Sequence, residues 1–409
     1  VPHPAPSRLA RVPDTTQPHR DHAETPAGTA PAADDLAVPP ESPAPGPPGP
    51  PGPPGTEADL AALRAGVDRA LEEFLAGRAA ELAGVDAELR IQSDLVAEFV
   101  AGGKRLRPAF AYWGWRAAGG DPDDPRMMVA AASLELLQAA AIVHDDLMDA
   151  SDTRRGRPSI HRQFAAQHRE RGWEGPGERF GLGGALLLGD LCLCWSDEML
   201  RTCGLPPERL LPALGYFDTM RTEVMAGQYL DLVTQSAADT TMARAMRVVR
   251  FKSAKYTIER PLHLGGALAG AGEDLLAAYS AYGLPLGEAF QLRDDVLGVF
   301  GDPVITGKPA GDDLREGKRT ALVAKALETA SPAQVERFQR WFGDPDLDSQ
   351  GVGELRDIIV STGALAAVEH LIAELTAEAS LALDKAPLTA DDARAALAGL
   401  ARAATQRTG

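Results

Sequence analysis

Asp145-Asp146-Leu147-Met148-Asp149 is an acidic pentapeptide set in an apolar, helix-like run, and a second cluster, Asp294-Asp295-Val296-Leu297-Gly298, lies in another. On a helix, residues four apart project from one face. Asp145 and Asp149 therefore point the same way and repel one another unless something positive lies between them. Oxygen ligands without a Cys or His triad favour Mg²⁺, which keeps several waters and commonly holds a substrate phosphate. The pattern reads as a metal-dependent diphosphate site carried on helices.

Outward from these clusters the chain keeps the same character. From about Glu57 onward it is rich in Ala, Leu, Glu and Arg and poor in β-branched runs, which favours helices throughout. Helices are expected near 57–84, 86–101, 105–118, 124–150, 180–203, 206–235, 239–270, 273–300, 319–330, 332–342, 351–385 and 389–406. The first 55 residues carry 17 of the 32 prolines and almost no large apolar side chain, so they cannot build a core. The run from Gly46 to Gly55 imitates collagen triplets, but too few of them follow one another to sustain a triple helix. Residues 1–56 are thus expected as a stiff, extended tail or linker, and 57–409 as an all-helical domain.

Composition also excludes several classes. The formal net charge of −17 argues against nucleic acid as a partner. No uninterrupted apolar run is expected to cross a bilayer, because residues 127–143 contain Glu135 and Gln138, and residues 183–195 contain Asp190. The Pro-rich, polar start is unlike a secretory leader. Cys192, Cys194 and Cys203 lack the paired spacing of zinc or redox sites and are expected as core thiols of a cytoplasmic protein.

Against the acidic background three basic clusters stand out: Lys104, Arg105 and Arg107; Arg154, Arg155 and Arg157; Lys308, Lys318 and Arg319. They suggest a confined anion site. Gly102-Gly103 and Pro108 mark a turn entering a helix start, where free N–H groups favour an anion. Gly156 and Pro158 end the helix that bears the first acidic cluster, which leaves Arg154 and Arg155 just beyond its carboxylate face. Residues 165–180 read as a polar surface connection. Phe251 to Tyr256 places cations on an apolar helix, and Gly227 to Asp231 places polar groups at helical spacing.

Together these residues resemble the isoprenyl diphosphate synthases, the chain-elongating trans-prenyltransferases, over roughly residues 60–400. Gly102-Gly103-Lys104-Arg105-Leu106-Arg107-Pro108 is similar to the family's first basic motif. Asp145 to Asp149, followed by Arg154-Arg155, is similar to its first aspartate-rich motif, and Gln291-Leu292-Arg293-Asp294-Asp295 to its second. The second departs at its last position, where Gly298 stands in place of an acidic residue. The resemblance implies a single-domain all-α bundle around a central apolar cavity, acting as a homodimer with Mg²⁺. It implies that Lys104, Arg107 and Arg155 bind the diphosphate of isopentenyl diphosphate, with Gln138 beside it. Asp145, Asp149 and Asp294 would ligate Mg²⁺ on the allylic diphosphate, with Asp146, Asp295, Gln228 and Asp231 supporting them. Arg154, Lys252, Lys308 and Lys318 would hold the allylic diphosphate, and Ser253 and Gln291, with Lys252, would line the reacting carbons.

Product length is expected to follow from the residues one turn upstream of Asp145, because the growing tail enters along that helix. They are Ala140 and Ala141, both small, with Leu137 and Leu134 deeper. A turn rises about 5.4 Å, comparable to one isoprene unit, so geranylgeranyl diphosphate is the expected product. The alternative is that both alanines only permit tight helix packing. A terpene cyclase would share the first acidic cluster but lack the Lys104 and Arg107 segment. A non-catalytic subunit of a heteromeric synthase would be expected to lose aspartates from the first cluster, and this chain keeps them.

Overall fold

The computed structural model describes residues 57–302 and 311–406; the Pro-rich stretch over 1–56 and Lys308 lie outside the described residues. Nearly everything described is helix. Helix α1 (Glu57–Val85) leads through a 3-10 turn to α2 (Arg90–Val100), α3 (Leu106–Ala117) and α4 (Pro125–Met148). The start of α4 is set by Asp124, whose side chain accepts from the Arg126 N–H, and by Pro125 in the first turn, where a missing N–H leaves no hydrogen bond unmade. A two-residue antiparallel ribbon, β1 (Thr153–Arg154) and β2 (Arg157–Pro158), pairs Arg154 with Arg157. Then come α5 (Ile160–Glu170), α6 (Gly177–Arg201), α7 (Pro207–Ser236) and α8 (Met242–Val248). A π-helical segment (Val249–Glu259) runs into α9 (Arg260–Ala269) and α10 (Glu273–Phe300). The remainder is α11 (Asp312–Arg315), α12 (Ala321–Thr329), α13 (Pro332–Trp341), α14 (Ser349–Ser361), α15 (Ala364–Lys385) and α16 (Asp391–Thr405).

Helix α4 lies at the middle of the packing. Its Leu136, Ala139, Ala140 and Val143 join a core with Phe110, Trp113, Leu188, Cys192 and Tyr282. Its Ala130, Ala131, Leu134 and Leu137 join another with Phe217, Met220, Tyr256 and Leu264. The alanines let neighbouring helices close on it from several sides at interior density. A third core unites Val296 and Val299 of α10 with Leu322, Leu355 and Ile359.

Several expectations need correction. Residues 165–180 are not one loop, since α5 ends at Glu170 and α6 begins at Gly177. Ile160, Phe164, Ala165 and His168 are buried along one side of α5, a helical spacing masked by the polar residues of its outer side. The span 351–385 is two helices bent by 64°. Gly363 breaks it at φ +77°, a conformation open to glycine at little steric penalty. Pro125–Met148 and Gly177–Arg201 are long and apolar enough to cross a membrane, contrary to expectation. The Met, Val, Ala, Leu and Ile residues between Met127 and Val143 outweigh the Glu135 and Gln138 thought to disqualify it. Cys192 and Cys203 are buried, whereas Cys194 is exposed.

Candidate active site

A cavity of about 830 Å³ opens between α3, α4, α7, the π segment and α10, and both acidic clusters reach it. Gln138, Ala141, Ile142 and Asp145 line it from α4, the three-and-four spacing of one helix face. Gln228 and Asp231 come from α7, Lys252, Ser253 and Tyr256 from the π segment, and Gln291, Asp294, Asp295 and Gly298 from α10. Lys104, Arg107, Arg154, Lys318 and Arg319 supply positive charge, and Asp313 adds a further carboxylate. Val224, Val248, Val249, Phe290 and Leu297 give the same cavity apolar wall.

The π segment aims Lys252. Its Nζ donates to Asp145 Oδ1 at 3.1 Å and to Asp231 Oδ2 at 2.7 Å, while Gln228 Nε2 donates to the same Asp145 oxygen at 2.8 Å. Wider i→i+5 turns often mark functional positions. Here the segment is gripped between two glycines. A Cβ on Gly227 would lie 2.7 Å from Lys252 Cα, and one on Gly287 would lie 2.6 Å from the Ala254 carbonyl oxygen. Behind it Lys255 faces away from the cavity, bonded to Glu259 at 2.8 Å and near Glu223 at 3.2 Å. The segment's two cations thus have separate tasks.

Electrostatics across the first cluster are uneven. Burial works to raise Asp145, but Lys252, Lys318 and Arg154 outweigh it and hold its carboxyl below the usual range. Asp149 is pushed up by burial and by the Asp145 charge. Asp146 turns away to receive both Nε and Nη2 of Arg154 on one oxygen, and burial still leaves its carboxyl raised. This contact fixes Arg154 at the cavity wall, with Nη2 3.8 Å from Asp145 Oδ2. Lys318 Nζ spans Asp149 at 3.5 Å, Glu316 at 2.5 Å and Asp313 at 3.8 Å. On the facing wall Asp295 is bonded by Gln291 Nε2 at 2.8 Å, and burial pushes its carboxyl up to about 7.

Arg107 forms the opposite corner. Its guanidinium stacks 4.3 Å from the Tyr256 ring centroid and donates to Thr257 at 2.9 Å, while the Tyr256 hydroxyl donates to Gln138 Oε1 at 2.7 Å. The chain reaches this corner through Arg105, which is structural. Its side chain is 2 % exposed, paired with Asp68 at 2.5 Å and Glu135 at 2.6 Å, and it adopts φ +51°. Such a conformation costs about 1–2 kcal/mol and persists because that pairing holds it, which turns Lys104 and Arg107 inward.

Some expected site residues lie elsewhere. Arg155 is exposed, its guanidinium 6.0 Å from the Phe99 centroid, and it does not line the cavity. Ala141 lines the cavity, whereas Ala140 and Leu137 are packed in the two cores flanking α4; the turn of the helix sends adjacent residues about 100° apart. Sequence reasoning passed over Tyr256 as a wall residue, the Arg105 partners Asp68 and Glu135, and Asp313. Only Asp313 left a signal, a further Asp-Asp pair ending five residues before Lys318.

The donor set suits a hydrated divalent cation shared with a phosphate. Among the described residues no three acidic, His or Cys side chains form a ready cage; Mg²⁺ is commonly held by one or two carboxylates, with water and substrate oxygens completing its shell. Asp149 Oδ2 is buried without a hydrogen-bond partner, 3.5 Å from Lys318 Nζ.

A helical bundle whose cavity sets carboxylates on facing walls among cations defines a site for anionic, phosphorylated substrates. Residues 90–359 match the Polyprenyl synthetase family, and the chain belongs to it. The fold is that of the all-α isoprenyl synthases. The chain is similar to the crystal structure of geranylgeranyl pyrophosphate synthase from Corynebacterium glutamicum complexed with isoprenyl diphosphate and magnesium, with a TM-score of 0.83, 42% identity, and coverage of 86% of this chain and 100% of that one. It is similar to the geranylfarnesyl diphosphate synthase of Aeropyrum pernix, 32% identical over 65% of this chain and 78% of the relative. It is also similar to the (2E,6E)-farnesyl diphosphate synthase of Mycobacterium bovis, 33% identical over 66% of this chain and 67% of the relative. The chain is a prenyltransferase of this family; its relatives differ in product length.

Proposed function

We propose that the chain joins isopentenyl diphosphate to an allylic diphosphate, with Mg²⁺, giving mainly geranylgeranyl diphosphate, and that it works as a homodimer. The observation that supports the reaction is the meeting of Asp145 and Asp294, from helices far apart in sequence, with Lys104, Arg107, Arg154, Lys252 and Lys318 around one cavity. Asp145, Asp149 and Asp294 would hold the metal. When bound, Mg²⁺ supplies positive charge to the leaving diphosphate.

The allylic C–O bond breaks with both electrons leaving on the diphosphate, and Arg154, Lys252 and Lys318 offset that charge as it develops. The double bond of isopentenyl diphosphate, held through Lys104 and Arg107, closes a C–C bond on the allylic carbon. A proton then passes to an oxygen of the departed diphosphate, so the products are a longer allylic diphosphate and inorganic diphosphate. Ser253 and Gln291 border the reacting carbons and exclude water. Ala141 leaves room along α4 for the tail, which supports a product beyond fifteen carbons. For the dimer, support comes from Leu182, Leu186 and Leu187, exposed by 49%, 52% and 60% on α6, an apolar stripe of the kind that marks protein interfaces.

The test is to incubate the purified chain alone with farnesyl diphosphate, isopentenyl diphosphate and Mg²⁺ and to resolve the products by chromatography. A twenty-carbon diphosphate is expected, with turnover abolished by chelation. A cyclised hydrocarbon, or no product without a second protein, would overturn the reading. Asp145→Asn should lower kcat by about 100-fold, as for loss of one group that stabilises developing charge.

A further inference from the structure

The second acidic cluster brings Asp294 and Asp295 to the cavity but ends there on Gly298, without a third carboxylate. Gly298 lies four residues beyond Asp294, on the same face of α10, and lines the cavity with it. The space beside Gly298 is filled. A Cβ built there would run into Asp313 Oδ2 and lie 2.7 Å from Asp313 Cγ. A carboxylate brought by α11 therefore occupies the room that the side chain of residue 298 would need.

Asp313 is firmly seated. Leu314 beside it is fully buried in the core that contains Val296 and Val299 of α10. The backbone carbonyl of Asp313 accepts from the Lys318 N–H at 2.9 Å, which closes the loop that carries Lys318. Its side chain is 13% exposed, with Oδ1 3.8 Å from Lys318 Nζ. The same ammonium lies 3.5 Å from Asp149 Oδ2, the buried oxygen that lacks a hydrogen-bond partner. Lys318 thus joins the first acidic cluster to Asp313, and Asp313 stands over the gap in the second.

We infer that Asp313 is a positioning residue of the reaction site. Its carboxylate, seated over Gly298 from a separate element, completes the second acidic wall and holds Lys318 and a water-coated divalent cation against the allylic diphosphate. The inference rests on the function proposed above. It also accounts for Gly298, because an aspartate at both positions would force two carboxylates into one space.

Two variants of the full chain test it, Asp313→Asn and the double exchange Gly298→Asp with Asp313→Gly, which moves the carboxylate back onto α10. Mg²⁺ binding is measured by calorimetry with saturating inorganic pyrophosphate, beside melting temperature and the Mg²⁺ concentration for half-maximal turnover. Asp313→Asn is expected to weaken Mg²⁺ binding by about 10-fold or more, as loss of outer-shell partners does, and the exchange to return it to within about threefold of the parent. The Mg²⁺ requirement for turnover should move in parallel, while the KM for isopentenyl diphosphate stays constant. Unchanged binding in Asp313→Asn overturns the inference, as does an exchange variant that melts like the parent but binds no better than Asp313→Asn. If the parent chain itself shows no Mg²⁺-dependent pyrophosphate binding, the proposed function falls first and this inference with it.

Discussion

Neighbouring alanines on α4 have different surroundings, and substitution separates them. Ala141→Phe places a ring in the cavity below Asp145 and should shorten the main product by at least one isoprene unit, read by chromatography, with the melting temperature nearly unchanged. Ala140→Phe overfills a core in which Ala140 is 3% exposed and should cost about 1–3 kcal/mol of stability, read by denaturant unfolding. An unaltered product from Ala141→Phe would place the floor of the cavity elsewhere. Asp295 gives a pH signature. Its folded-state value of about 7 lies above that of the unfolded chain, so the folded form binds the extra proton. The resulting stabilisation is complete below the unfolded value and disappears as pH rises through about 7. Melting of the metal-free protein between pH 5 and 8 should therefore fall more steeply in the parent than in Asp295→Asn. At this scale the sequence was informative about residue type and less so about direction. The shared face of Asp145 and Asp149 could be read from their spacing, while the places of Lys252 and Asp294 beside them were implied by the family resemblance. The outward set of Arg155, the buried pairing of Arg105 and the seat of Asp313 depend on contacts between distant segments.

Among the elements, the long regular helices follow from composition and periodicity, and α10 runs over the expected residues. Two failures have physical causes. A π segment of 11 residues uses the same residue types as an α-helix and differs in hydrogen-bond step, so the sequence shows at most Pro261 near its end, which lacks the N–H that a regular helix would use. Helix α5 was lost because its buried side is narrow and its polar side long. The grip on the π segment is testable. Gly227→Ala adds a methyl against the Lys252 backbone and should shift the lysine by a fraction of an ångström or more. A displacement of that order can lower kcat by up to about 100-fold. Binding of isopentenyl diphosphate, which the proposed mechanism assigns to the Arg107 corner, should change little. Equal loss in kcat and in isopentenyl diphosphate affinity would contradict a local role for Gly227.

For the molecule as a whole, the sequence conveyed the helical class through composition and periodicity, whereas the meeting of the two acidic helices was implied by the resemblance to the isoprenyl diphosphate synthases. It did not convey what the outer surface does. If the exposed stripe on α6 joins two copies, Leu187→Glu should yield a monomer with undiminished helix content, measured by light scattering and circular dichroism. A variant that stays dimeric would move the interface to another face. The lysines of the cavity bear on inhibition. Lys252 and Lys318 are already engaged by acids from several elements, so a bare anion arriving there must compete with the protein's own counter-ions. A compound escorted by a divalent ion exchanges partners instead, handing the acids a new cation as it takes the two ammonium groups. If the proposed Mg²⁺ site holds, candidates for this pocket are best ranked with a divalent ion present, and a screen run in chelator should miss those that bring one.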